Sequence, residues 1–459
     1  MAEKLNVCLM NDSFPPQIDG VANAILNYAN VISSELGKAT VVTPYYPNAD
    51  DSVFPYEVVR YRSLNIEKIC GYRAGYPFSS SKLQELSEQK FDIIHTHCPW
   101  ASALMARVLR EKTNVPIVLT YHTKFDVEIA RALPTKAMQS QAEHFFLGNI
   151  AACDKVWTVS NGARENLLSI AARHSSFEID GSKIDVVENG VDFPRGRAKQ
   201  EHVDALWQDY GITNRECPMF LFVGRMMWYK GCRLILDALK KVSDSGFDFR
   251  MVFVGDGADR QEIENYAQEL GFTRKQCAFA GAIHDREELR VYYTAADLFL
   301  FPSEYDTNGI VVREAAACGT GSLLIEGSCA AEGIEHGRTG IIVKPDADSI
   351  AEELKFICTH REETDQIGER AMNEVYLSWE TAVKRAYNLY PGIIEQVREQ
   401  KTERRESFIQ EEFISLVDSA TDSIQRLRSI PNEIKDDIKE TRDRFRNSWH
   451  KFKDGISRK

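Results

Sequence analysis

Two stretches of this sequence carry side chains whose types and spacing suit chemistry on a charged small molecule. The first, residues 301–319, reads FPSEYDTNGIVVREAAACG: an apolar strand runs out at Phe301, a polar loop follows, and a helix opens near Gly309. The backbone N–H groups of Asn308, Gly309 and Ile310 are then expected to be unpaired at a helix start. Such a place attracts anions, and Gly309 adds no side chain to keep a ligand away. Asp306 in the loop and Glu314 in the helix stand eight residues apart. Taken singly, they read as an N-terminal cap and a solvated helix residue. Glu314, however, is set between Val311–Val312 and Ala315–Ala317, a stretch apolar enough to bury it. A buried carboxylate needs partners, and ligand hydroxyls would serve. The second stretch, residues 222–239, reads FVGRMMWYKGCRLILDAL: a strand runs into a glycine turn, and Arg225 and Lys230 then flank the start of a helix. Two cations there suit a diphosphate; alone they read equally as surface charge.

These loops need a frame to aim them. Short apolar runs alternate with amphipathic helical patterns along most of the chain, and near-continuous apolar strands are those of parallel sheets covered on both faces. Strands are expected over 5–10, 39–43, 91–95, 116–121, 155–159 and 184–188, with helices such as 20–36 and 101–111 between them. A polar stretch, 192–217, reads as a link with an irregular helix. The pattern then restarts over 218–223, 249–254, 277–280, 297–301, 322–325 and 340–343. At 459 residues the chain exceeds one ordinary core, and the repeat predicts two doubly wound α/β domains in tandem. Ligands of such sheets sit outside the carboxyl ends of the strands, so the expected site is a cleft between domains. The expected boundaries are 1–197 for the first domain, completed by a helix over about 375–398, and 213–374 for the second. A helical tail follows over 402–459.

The frame PS…(D/E)xxGxxxxEAxAxG resembles the signature of retaining glycosyltransferases of family four, which have the GT-B fold of two Rossmann-like domains. The segment VGRxxxxKG is similar to a second motif of that family. The resemblance implies that Glu314 holds the nucleotide ribose and Asp306 contacts the transferred sugar. It also implies that Arg225 and Lys230 neutralise the donor's diphosphate as it leaves. The family usually has Glu at the first acidic position; here Asp306 takes it, with Glu304 two residues earlier as the other candidate. The FPPxxxG layout ending at Gly20 is similar to a loop that closes over phosphates and acceptor, although most glycines in such turns are structural. His122, in TYHT, matches the family's histidine near the transferred sugar; by itself it reads also as a satisfied surface histidine. Gly255 and Gly257, the NGVD run from Asn189 to Asp192, and Trp379 in the last helix fit the same frame. His95, His97 and Cys98 could suggest a metal site, but no second cluster with ligand spacing follows and the family works without a metal. No metal and no cofactor are expected beyond the donor itself, a nucleotide diphosphate sugar, by frequency UDP-glucose.

Composition narrows the partners. A net charge of -12 argues against a nucleic-acid binder, which needs a basic face. The ten cysteines are scattered without a CxxC pair, as in a reducing compartment. No apolar run is long enough to span a bilayer, and the start lacks a secretory signal, so a cytoplasmic protein is expected. Residues 439–459 carry a charge of +5 and an aromatic stripe of Phe445, Trp449 and Phe452. That pattern suits an anionic membrane surface, and equally a helix packed on the enzyme's own acidic body or on a partner. The run YHTKFDVEIARALP resembles enzymes that glycosylate diacylglycerol, which implies a lipid acceptor. The competing readings are transfer to a glycan during cell-surface polysaccharide assembly, a non-catalytic nucleotide-sugar-binding protein, and a sugar-nucleotide epimerase.

Overall fold

The structure, a computed structural model, describes residues 4–65 and 73–399, apart from 134, 175, 178 and 213–216. The basic tail expected over 402–459 lies outside the described residues, as do residues 213–216, where the second domain was expected to begin. The chain divides into two compact units. Of the described residues, one unit holds those up to Val159, those within Ala163–Val187 and those from Val383 to Glu399; the other holds Ser160–Gly162 and those within Glu188–Ala382.

In the first unit the strands are β1 (Asn6–Met10), β2 (Lys38–Pro44), β3 (Glu57–Tyr61), β4 (Ser63–Asn65), β5 (Arg73–Gly75), β6 (Ile93–Thr96), β7 (Ile117–Tyr121), β8 (Lys155–Thr158) and β9 (Ile184–Val186). All but β4 and β5 form one parallel sheet in the order β3-β2-β1-β6-β7-β8-β9. The central strands β6 and β7 are buried at every residue, because helices cover both faces of a parallel sheet. Three strands were not expected. β3 is a short edge strand whose burial alternates, and β4 and β5 pair antiparallel as three-residue segments, too short to show a period. The helix expected over 20–36 is α-helical only for Gly20–Val31 and widens into a π-turn over Ile32–Leu36. The returning helices pin themselves to this sheet. Tyr387 accepts from Leu5 N–H at 2.7 Å and donates to Leu36 C=O at 3.1 Å, while the Tyr390 hydroxyl lies 2.8 Å from His95 Nδ1.

In the second unit β10 (Met219–Val223), β11 (Arg250–Val254), β12 (Cys277–Gly281), β13 (Leu298–Leu300), β14 (Ser322–Ile325) and β15 (Ile341–Val343) form a parallel sheet ordered β12-β11-β10-β13-β14-β15. This is the doubly wound order, which reverses direction between β10 and β13. Trp379, expected on the helix that crosses back onto the first domain, opens the helix Trp379–Tyr387, whose residues to Ala382 belong to the second unit and from Val383 to the first. Its neighbour Ser378 bridges Val191, and Val191 N–H donates to Leu377 C=O at 2.9 Å. The chain leaving and the chain returning are therefore tied together on this unit.

Candidate functional site

The strand order dictates where the second unit can bind a ligand. Neighbouring crossovers leave in opposite directions from β10 and β13, so the loops after these strands part and open a crevice at their carboxyl ends. The loop after β10 carries Gly224, Arg225 and Lys230; the loop after β13 runs from Phe301 to Gly309. Backbone packing holds the first loop in place. A Cβ on Gly255, after β11, would lie 1.9 Å from the Gly224 carbonyl oxygen, so only glycine fits there. Met226 N–H donates to Asp256 C=O at 2.9 Å, Asp259 N–H donates to Met226 C=O at 3.2 Å, and Trp228 N–H donates to Asp259 Oδ2 at 2.9 Å. Gly231, at φ +85°, opens the helix Cys232–Asp244 and would bring a Cβ to 2.2 Å from the Pro302 carbonyl. The two crevice loops thus touch backbone to backbone at Gly231.

At that contact Lys230 Nζ lies 2.8 Å from Asp306 Oδ2, with both side chains largely buried. The other oxygen, Oδ1, accepts from Asn308 N–H at 3.1 Å and Gly309 N–H at 2.8 Å. Gly309, at φ +57°, is the N-cap of the helix Ile310–Ala317. The expectation of three unpaired N–H groups at this helix start is therefore corrected for Asn308 and Gly309. A short acidic side chain two or three residues upstream satisfies them locally, as Asp does in turns. Burial pushes the Asp306 carboxyl up, but the Lys230 ammonium and the two backbone donors outweigh it and hold the group below its ordinary value. Asp306 is both a cap and an ion-pair partner.

Glu314 is buried, as its apolar neighbours required. Its partners are protein groups: Arg286 Nη1 donates to Oε1 at 2.8 Å and the Tyr293 hydroxyl to Oε2 at 3.1 Å. Burial raises this carboxyl above its ordinary value, with Arg286 and Tyr293 opposing. Sequence reasoning missed both partners. The available signal was their spacing of seven, two turns apart on the helix Arg286–Ala295, which puts them on one face. The structure brings Lys230, Asp306, Asn308 and Gly309 into one bonded group and Glu314 into another, about one turn into the same helix. Arg225 is exposed and joins neither group. Glu304 is exposed as well, so the buried carboxylate of this loop is Asp306.

In the first unit the order reverses between β1 and β6. Gly20 is exposed and opens the helix Gly20–Val31, with nothing within 4 Å of where its Cβ would be. Asp19, which the sequence reading passed over, accepts from Val21 N–H at 2.9 Å and Ala22 N–H at 2.7 Å as the N-cap. His122 follows β7 and is buried, its Nε2 2.9 Å from His97 Nδ1. His95 bonds Thr120 Oγ1 at 2.7 Å through Nε2, in addition to Tyr390, and so serves the core. Among the described residues no group of three or more His, Cys, Asp or Glu side chains is placed to hold a metal ion. Desolvation drives the three imidazoles down, His95 and His97 well below their ordinary value and His122 to about 3. His122 is therefore neutral at physiological pH.

The sign of the pH dependence follows. The unfolded chain takes up protons on these imidazoles below about pH 6.5 and the folded unit does not, so stability is lost as pH falls. Each imidazole contributes a slope approaching 1.4 kcal/mol per pH unit. Asp12, raised to about 6 by burial, binds its proton more readily when folded and offsets one imidazole between about pH 4 and 6. Denaturant midpoints should fall between pH 7 and 5; a flat profile would contradict the buried neutral cluster.

Comparison with known proteins agrees with this architecture. Residues 18–195 match the family described as Glycosyltransferase Family 4, and residues 211–374 match Glycosyl transferases group 1. An uncharacterized glycosyltransferase of Methanocaldococcus jannaschii is 29% identical over 324 residues, 69% of this chain and 79% of that protein. The alpha-monoglucosyldiacylglycerol synthase of Streptococcus pneumoniae is 26% identical over 325 residues, 69% of this chain and 70% of that protein. Among solved structures, HepE of Anabaena, crystallised with UDP and glucose, superposes with a TM-score of 0.63 at 16% identity, covering 84% of this chain and 99% of that one. No helix among the described residues is long and apolar enough to cross a membrane. With about three-quarters of its length matched by these two glycosyltransferase families and two doubly wound sheets to carry them, the chain belongs to the glycosyltransferases of family four and has the GT-B fold.

Proposed function

We propose that the protein moves a hexose, glucose by preference, from a UDP-sugar to a hydroxyl of a membrane lipid such as diacylglycerol, with retention at the anomeric carbon. The observation that carries this reading is the Lys230–Asp306 pair, locked over a helix start at the switch point. A cation held there by a buried acid meets the developing charge of a departing diphosphate with little reorganisation. Arg225, exposed at the head of the loop, supplies the second cation, and Ile310 presents the helix N-terminus, the N–H groups of Asn308 and Gly309 being held by Asp306. Asp306 orients Lys230 and faces the transferred sugar, Glu314 takes the ribose, and Gly20 lets backbone approach the ligand closely. The bond from the anomeric carbon to the phosphate oxygen breaks as the acceptor oxygen bonds on the same face, and the departing oxygen takes the acceptor's proton. His122, neutral, offers the sugar a hydrogen bond without adding charge.

The lipid acceptor is supported by the similarity to the Streptococcus pneumoniae synthase, whose name specifies an α-linked glucosyl diacylglycerol. The basic stripe over 439–459 supports peripheral attachment to an anionic cytoplasmic membrane face. UDP release measured across nucleotide sugars, with and without diacylglycerol-containing anionic vesicles, tests this. Release with UDP-glucose that rises at least tenfold on adding vesicles is expected. Vesicle-independent turnover with a soluble glycan would replace the lipid by a glycan acceptor, and no turnover with any donor would end the catalytic reading.

A further inference from the structure

Glu314 is gripped at both oxygens by one helix, and the inner grip has a consequence for nucleotide choice. Tyr293 is fully buried. Its ring packs edge-on against Phe193 with centroids 5.8 Å apart, and its backbone carbonyl accepts from Thr320 Oγ1. The hydroxyl therefore has a fixed position, 3.1 Å from Glu314 Oε2, and burial raises its pKa so that it remains a donor. Arg286, whose side chain is 48% exposed, reaches Oε1 from the solvent side and lies 5.6 Å over the same Phe193 ring.

We infer that Tyr293 is a positioning residue that sets the selectivity of this enzyme for a ribonucleotide donor, by fixing the plane of the Glu314 carboxylate against a vicinal diol. The inference deepens the reading above, in which Glu314 takes the ribose. A carboxylate has about four acceptor directions. With one oxygen claimed by Tyr293 and the other by Arg286, about one direction is left on each oxygen. Two adjacent hydroxyls can meet them together; a sugar lacking them cannot, and it leaves a buried charge under-satisfied. Were the carboxylate free to rotate, it could turn toward water and the penalty for a missing hydroxyl would shrink.

The test compares equilibrium binding of UDP and 2′,3′-dideoxy-UDP to the full chain, with wild type, Glu314→Ala and Tyr293→Phe. Wild type should prefer UDP by roughly tenfold or more, the worth of a hydrogen bond to a charged group. Glu314→Ala should bring the preference to within about twofold. Tyr293→Phe, which keeps the ring and its packing, should cut the preference by about five- to tenfold while the affinity for the dideoxy nucleotide stays within about twofold. A parallel loss of both affinities in Tyr293→Phe would mean a merely structural role and overturn the inference. An unchanged preference in Tyr293→Phe, beside its collapse in Glu314→Ala, would overturn Tyr293 alone. A wild type that binds both nucleotides alike, or a Glu314→Ala variant that keeps the full preference, would overturn the ribose reading together with it.

Discussion

Lys230→Ala is expected to lower kcat/KM for sugar transfer by about 10²–10³-fold, the usual cost of removing one preorganised group from a developing anion. The size of the effect comes from how little the cation has to move. Its side chain is 12% exposed, it lies 5.4 Å over the Phe301 ring and 2.8 Å from Asp306, so no reorganisation is needed when charge appears. The variant also leaves Asp306 with its two backbone donors but no counter-ion, and the Asp306 carboxyl then rises from its depressed value. Asp306→Asn separates the two jobs of that residue, since the amide oxygen can still cap Asn308 and Gly309 while the ion pair is lost. The two changes share one interaction and should be less than additive when combined. Turnover in Lys230→Ala within threefold of wild type, with an unchanged melting curve, would remove Lys230 from the mechanism.

The largest loss of stability is expected at the other end of the same strands. Asp297, whose side chain is 1% exposed, accepts from Arg361 Nε at 3.2 Å and from its Nη2 at 2.9 Å and 3.0 Å. It also accepts from Met219 N–H at 2.8 Å, while its own N–H donates to Met219 C=O at 2.8 Å. It thus fastens the start of β13 to the start of β10, the pair between which the sheet order reverses. Asp297→Ala removes a buried carboxylate from a guanidinium and a backbone donor, and breaking a buried pair in this way costs about 3–5 kcal/mol. Urea unfolding should shift by that amount in the transition of the second unit with its slope little changed. The pair Lys155–Asp185, whose acid is 48% exposed, provides the contrast: Asp185→Ala should cost under about 1 kcal/mol. Equal effects at the two sites would show that burial is not what makes the Asp297 pair matter.

How much of this was legible beforehand depended on the range of the interaction. The runs Met219–Val223 and Ile117–Tyr121 identify themselves, since a wholly or largely apolar run of five residues has one common explanation, a parallel strand covered on both faces. Repetition of that pattern with helices between gave the two sheets and their loops. β3, β4 and β5 escaped because strands of three to five residues at an edge carry too few side chains to show a period. Glu314 could be recognised as buried from its neighbours alone, and Asp306 as a cap or an acid of the site from its place before a helix. The sequence left that choice open; folding makes Asp306 the cap and pairs it with Lys230.

What the sequence by itself determined, then, were the local consequences of residue type: strands, helix starts, the glycine turns and the acids and cations that flank them. Tertiary structure alone decided the partners. Lys230 and Asp306 are 76 residues apart, Glu314 and Arg286 are 28 apart, and His97 and His122 are 25 apart; nothing in the local chain says which of many possible ions each will meet. Those pairings arise because strand order brings β10 beside β13 and β6 beside β7, and strand order is fixed by packing summed over the whole sheet rather than by any one segment.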